Sequence, residues 1–121
     1  MTRYVVHAYE NTYGGLHGME DWFYLDTDSM NEVDEAATQA SYEVMESYSC
    51  IMESLEENAR NACDDPDDDE EYEQMLEEEC EYNVAYDVFM LNDEGAALDR
   101  EVINERLASD PEELVRDYTF N

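Results

Sequence analysis

The sequence predicts an α+β fold: a small three-stranded antiparallel sheet packed with about four helices, in the order β-β-α-α-β-α-α. Three observations point there. Short segments alternate β-forming residues with a period of two, twice near the N-terminus and once past the middle. A long stretch repeats apolar residues at helical spacing. Helix-start signals recur at Ser29, Asp65-Pro66, Asp99 and Asp110-Pro111.

Residues 3–9 form the first predicted strand, with Tyr4, Val6 and Ala8 on one face and Val5, His7 and Tyr9 on the other. Residues 11–18 hold Gly14, Gly15 and Gly18 and read as a loop. Residues 19–26 form the second strand, with Trp22 and Tyr24 alternating against Phe23 and Leu25. The two strands pair as a hairpin with a long loop. Ser29 and Glu32 then make a capping box. The next thirty residues read as one helix, with Val33, Ala37, Ala40, Val44, Tyr48, Ile51, Leu55, Ala59 and Ala62 on its buried side.

Asp65-Pro66 is expected to start a second helix, because proline suits the first helical position. Its acidic first residues complement the helix dipole. Tyr72, Met75, Leu76 and Cys80 give it a narrow apolar stripe. Residues 82–91 read as the third strand, with Tyr82, Val84, Tyr86, Val88 and Met90 on one face. A turn follows at residues 92–95. Asp99 caps a short helix with Val102, Ile103 and Leu107 inward, and Asp110-Pro111 starts a last one with Leu114, Val115 and Tyr118 inward. One domain over residues 1–121 accommodates all of this.

Charge is the outstanding property. The chain has 35 Asp and Glu against 5 basic residues, a net charge of −30. All five cations are arginines, and lysine is absent. Such charge with low hydropathy is a signature of disorder. Here 43% of residues are hydrophobic and 12% aromatic, enough for a small core. The expectation is a folded domain under self-repulsion. A domain of this size spans roughly 35 Å, and that length of duplex DNA carries about 20 charges. Solubility needs a net charge of only about 2 to 8.

This charge excludes direct binding to nucleic acid or to an anionic bilayer, since either needs a basic patch. The longest apolar run, Val88 to Leu91, is far too short to span a membrane. The first residues lack a basic segment followed by an apolar stretch, so no secretory signal is expected. No metal site is expected. The run from Asp64 to Glu71 resembles a calcium loop in composition but fails in register, with Glu70 where glycine belongs and Leu76 where glutamate belongs. Cys50, Cys63 and Cys80 are separated by 13 and 17 residues, without a zinc-type pair. They read as reduced thiols, with Cys50 and Cys80 as small buried hydrophobes. No nucleophile or phosphate-loop motif is present, so neither an enzyme nor a cofactor is expected.

Binding remains, and charge selects the partner. Carboxylates along a helix face repeat every ~5.4 Å, the same order of spacing as phosphates along a strand. A lysine- and arginine-lined groove built for a nucleic-acid backbone can accept such a helix. The expectation is a mimic of nucleic acid that occupies the binding site of a basic nucleic-acid-binding protein. Twelve of the eighteen residues from Asp64 to Glu81 are acidic. The first-choice contacts there are Asp67, Asp68, Asp69, Glu70, Glu71, Glu73, Glu77 and Glu78. Glu43, Glu46, Glu53 and Glu57, on the outer face of the first helix, come second. Tyr13 and Tyr72 are candidate stacking groups.

In composition the whole chain resembles phage-encoded inhibitors of bacterial defence, the anti-CRISPR and antirestriction proteins, which are often small, lysine-poor and acidic. Tyr4-Val5, Gly14, Leu16-His17-Gly18 and Trp22 are similar to the opening of the Ard-type antirestriction family, with extra residues before Trp22. The resemblance implies a protein acting in the cytoplasm of an infected bacterium, as a monomer or a dimer, on a host defence nuclease. A Cas effector is the favoured target, because its deep basic cleft suits a compact acidic wedge. A restriction–modification enzyme is the alternative. An acidic chaperone for basic proteins is the rival from another class.

Overall fold

The computed structural model describes residues 1–11, 18–65 and 67–118. The chain runs β1 (Arg3–Glu10), β2 (Glu20–Asp26), α1 (Met30–Glu46), α2 (Ser49–Ala62), α3 (Asp69–Tyr82), β3 (Val84–Met90), α4 (Asp93–Ala96), α5 (Arg100–Ser109) and α6 (Pro111–Tyr118). The sheet order is β2-β1-β3, antiparallel throughout. The expected α+β architecture and element order are present.

β1 is central, and its alternation defines two cores. Val6 and Ala8 face α1, where Val33, Ala37, Ala40 and Val44 meet Tyr4, Phe23, Leu25, Tyr86 and Val88. Val5 faces the other way, into Ile103 and Leu107 of α5 and Leu114 of α6, beside Trp22, Tyr24 and Phe89. The sheet is therefore a middle layer, and Val5, Val6 and Ala8 are fully buried on opposite faces. The period-two pattern requires that arrangement.

The long first helix is broken. α1 ends at Glu46 and α2 begins at Ser49. The Ser47 hydroxyl donates to the Val44 carbonyl at 2.7 Å, a local bond that competes with helix continuation. Tyr48, with φ −124° and ψ 111°, resets the direction as N-cap of α2. Core packing explains the break. Met45, Ile51 and Leu55 share one buried cluster with Leu76 and Cys80. On an unbroken helix Met45 and Ile51 would lie about 120° apart around the axis. Tyr48, expected inward, is 38% exposed instead.

Two further boundaries move. α3 starts at Asp69, not beside Pro66, because Asp68 is its N-cap and accepts from the Glu70 and Glu71 amides at 3.1 and 3.5 Å. Pro66 lies outside the described residues. Tyr82 belongs to the end of α3 and is 83% exposed, so it is no part of β3. Asn83 ends the helix, its side-chain amide donating to the Glu79 carbonyl at 2.8 Å. Met90, expected on the buried face, is exposed as well.

Other caps follow expectation or vary it. Asp110 accepts from the Glu113 amide at 3.1 Å, with Pro111 opening α6. Ser29 accepts from the Glu32 amide, but Glu32 does not reach back directly. Instead the Ser29 amide donates to the Thr27 hydroxyl, which donates to the Glu32 carboxylate. The residues 92–95 expected as a turn continue into the single turn of α4. There Gly95 is required by space, since a Cβ would lie 2.7 Å from Cβ of Tyr118.

Candidate functional site

α2 and α3 pack as an antiparallel pair beyond α1, their shared core drawn from Ile51, Leu55, Leu76 and Cys80. α3 buries no residue fully, so most of its circumference meets solvent. Its Tyr72, Leu76, Glu79 and Cys80 are half-buried toward the core side. Glu70, Glu73, Glu77 and Glu81 are exposed and recur at intervals of three and four, which places them in one row. The row rises ~16 Å along the axis, at 1.5 Å per residue.

Of the expected contacts on this segment, Asp67, Asp69, Glu70, Glu73, Glu77 and Glu78 are exposed. Asp68 is exposed too, but its carboxylate is spent on capping. Glu71 is half-buried and accepts from the Asp64 amide at 2.5 Å, folding the approach to α3 back on itself. These two therefore build the surface as well as belonging to it. Glu81, absent from the expected set, joins the row, and the signal for it was its four-residue spacing from Glu77.

Glu43, Glu46, Glu53 and Glu57 are all exposed, but the helix break divides them between α1 and α2. Glu43 borders a shallow hollow with Glu20 and Asp21 of β2. Glu53 and Glu57 border another with Arg60 and Asn61. Glu46, exposed at the end of α1, lies near enough for its charge to push up the Cys80 thiol. The expected single outer face is thus divided between α1 and α2.

The negative field is legible in its neighbours. Burial, then the charges of Glu81, Cys80 and Glu77, pushes the Tyr42 phenol up. Burial, then Glu46 and Glu79, pushes the Cys80 thiol up. Burial, then Glu71, Asp68, Asp64 and Asp65, does the same to Cys63. All three cysteines are free, and Cys50 is exposed, not buried as expected.

Among the described residues, no ion pair joins an arginine to Glu70, Glu73, Glu77 or Glu81. Arg3 pairs with Asp26 at 2.9 Å and donates to the Leu98 carbonyl, joining β1, β2 and the link between α4 and α5. The Arg60 guanidinium lies 5.5 Å over the Tyr72 ring, joining α2 to α3. Arg100 lies 5.7 Å over Tyr24, and Arg106 lies 4.9 Å over Tyr118 while donating to its hydroxyl. Arg116 has Asp117 at 3.8 Å. Tyr72, expected as a stacking group for a partner, is already half-buried under Arg60. Tyr13 lies outside the described residues, as do Gly14, Leu16 and His17 of the antirestriction-like opening.

His7 is the only described histidine. Its Nε2 is 2.7 Å from Glu20, its Nδ1 is 3.8 Å from Asp87, and its ring stacks on Trp22 at 4.0 Å. Both ring nitrogens are thus turned to carboxylates of the flanking strands, an arrangement that ties three strands together. Among the described residues, no three His, Cys, Asp or Glu side chains are placed to hold a metal ion. No described helix is long and apolar enough to cross a membrane. No protein-family model, no curated protein and no solved structure matches the chain.

Proposed function

We propose that this protein inhibits a bacterial defence nuclease by occupying its nucleic-acid cleft, with a Cas effector as the first target and the α3 face as the surface that enters. The observation that carries the reading is the outer row of α3. It continues through Glu77 into the last turn at Glu81, with Glu78 exposed beside it and Glu79 half-buried behind, and no basic residue stands there. The helix dipole penalises acids at that end, each by about 0.3–1 kcal/mol. A surface kept acidic against its own helix answers a demand other than stability.

The arginines support the same reading. Arg3, Arg60, Arg100 and Arg106 are each engaged across two elements, and among the described residues none of them forms an ion pair with the α3 row, although Arg60 covers Tyr72 near its start. Arginine suits that service better than lysine, because its planar group stacks on tyrosine. A cleft lined by lysine and arginine would meet one carboxylate per helical turn, about 5.4 Å apart. It would release the counterions held by both surfaces, as it does on binding DNA. The likeness of Tyr4-Val5, Gly14, Leu16-His17-Gly18 and Trp22 to the Ard-type opening makes restriction–modification enzymes the second target class.

Affinity capture from bacterial lysate, followed by competition, tests this. The expected result is one dominant basic partner, displaced by its own guide RNA or target DNA. A complex indifferent to excess cognate nucleic acid would refute mimicry. Equal capture of unrelated cationic proteins such as lysozyme would favour the acidic chaperone.

A further inference from the structure

We propose that the groove between the free edge of β2 and helix α5 receives an extended, arginine-bearing segment of the partner, which joins the sheet as a fourth strand. The proposal rests on the partner being basic, as above, but uses a different surface from α3.

The backbone phase of β2 supplies the first argument. The Glu10 amide donates to the Met19 carbonyl, and the Thr27 amide donates to the Thr2 carbonyl, each at 3.0 Å. In an antiparallel ladder, direction alternates residue by residue. Residues 19, 21, 23, 25 and 27 therefore turn their main chain toward β1. Glu20, Trp22, Tyr24 and Asp26 turn theirs outward, and no described strand pairs with that edge. An edge of this kind is a template for strand addition.

The second argument is the groove itself. It has a volume of about 630 Å³ and runs between β2 and α5, with Trp22, Tyr24 and Leu107 as apolar walls. The Trp22 Nε1 is buried and has no hydrogen-bond partner among the described residues. A buried indole N–H normally finds one, so the Trp22 wall of the groove carries an unmet donor whose signal reports on an occupant packed against it.

Charge chooses the occupant. Glu20 and Asp21 border the groove, and Arg100 is its one cation, already placed over Tyr24. A second copy of this chain would bring two net charges of −30 together, edge against edge. A basic strand meets no such repulsion. Its arginines would meet Glu20 and Asp21 at the border of the groove, since the Trp22 ring already stacks on His7 and Arg100 already covers Tyr24.

The test uses the full chain, isotope-labelled, with two synthetic peptides as probes: an Arg-Val alternating hexamer, and an Arg-Pro hexamer of equal charge that cannot pair as a strand. The alternating peptide is expected to move the indole N–H signal of Trp22, the chain's single tryptophan. It should also slow amide exchange at Glu20, Trp22, Tyr24 and Asp26, and the proline peptide should do neither. Asn104→Lys, on the α5 wall, should weaken this binding about threefold, as a single exposed charge contributes, and Arg100→Glu, a change of two charges, should strengthen it about tenfold. If both peptides perturb only Glu70, Glu73, Glu77 and Glu81, the groove is overturned while the α3 reading stands. Concentration-dependent protection of the β2 edge without peptide would also overturn it, in favour of a second copy.

Discussion

Arg60 and Tyr72, or Arg106 and Tyr118, stand twelve residues apart in sequence and meet only after two helices have packed. Nothing local in the sequence announces such a pair, whereas Asp110-Pro111 announces its cap within four residues. The same distinction separates Cys50 from Cys80. Both lie near the apolar spacing of a helix, but only Cys80 has a second helix behind it. The raised thiol of Cys80 and phenol of Tyr42 carry a consequence for stability. Each acid is neutral when protonated, and folding holds its proton longer than the unfolded chain does. Their contribution is complete below the ordinary thiol value of 9.0 and is lost as pH rises through the higher folded value. Urea unfolding should therefore give a flat midpoint from pH 7 to about 8.5 and a falling one above it. Cys80→Ala should make that alkaline fall shallower, and an identical fall in the variant would refute the assignment.

The strands, most of their facing pattern and the last two helices were legible because alternation and helix-start signals are local, although Asp99 marks the start of α5 without a side-chain capping bond and Tyr82 and Met90 fall outside the expected face of β3. The break at Ser47 and Tyr48 was not. Its cause is the meeting of Met45 with Ile51 and Leu55 in one cluster, a tertiary demand that the average helical spacing conceals. The start of α3 was misplaced for a related reason: several acids in a row can all cap, and the fold uses Asp68. This gives a separable prediction. Asp68→Ala should cost about 1 kcal/mol of stability by removing the cap. Asp68→Asn keeps a capping oxygen and removes the charge, so it should leave the unfolding free energy from urea titration within about 0.3 kcal/mol of wild type. Equal losses in the two variants would mean that the charge, not the cap, holds the start of α3.

At the scale of the molecule, a charge of −30 rests on a sheet buried on both faces, and the two oppose each other. Screening should relieve the repulsion as the Debye length falls from ~10 Å at 0.1 M salt to ~3 Å at 1 M. Thermal melts should show a folded protein at 0.1 M that gains stability with salt. Unfolding below molar salt would point instead to a domain adapted to brine. The charge total could be read at once, but not its division into the α3 row and separate patches on α1 and α2, since that depends on the helix break. The central claim is that the α3 row is a ligand surface maintained against its own helix. Reversing Glu77 and Glu78 together to lysine, then measuring both the urea midpoint and inhibition of target-DNA cleavage by the captured nuclease, tests it most directly. The account predicts an unchanged or higher midpoint with inhibition largely lost. A folded double variant that inhibits as well as the wild type would contradict it.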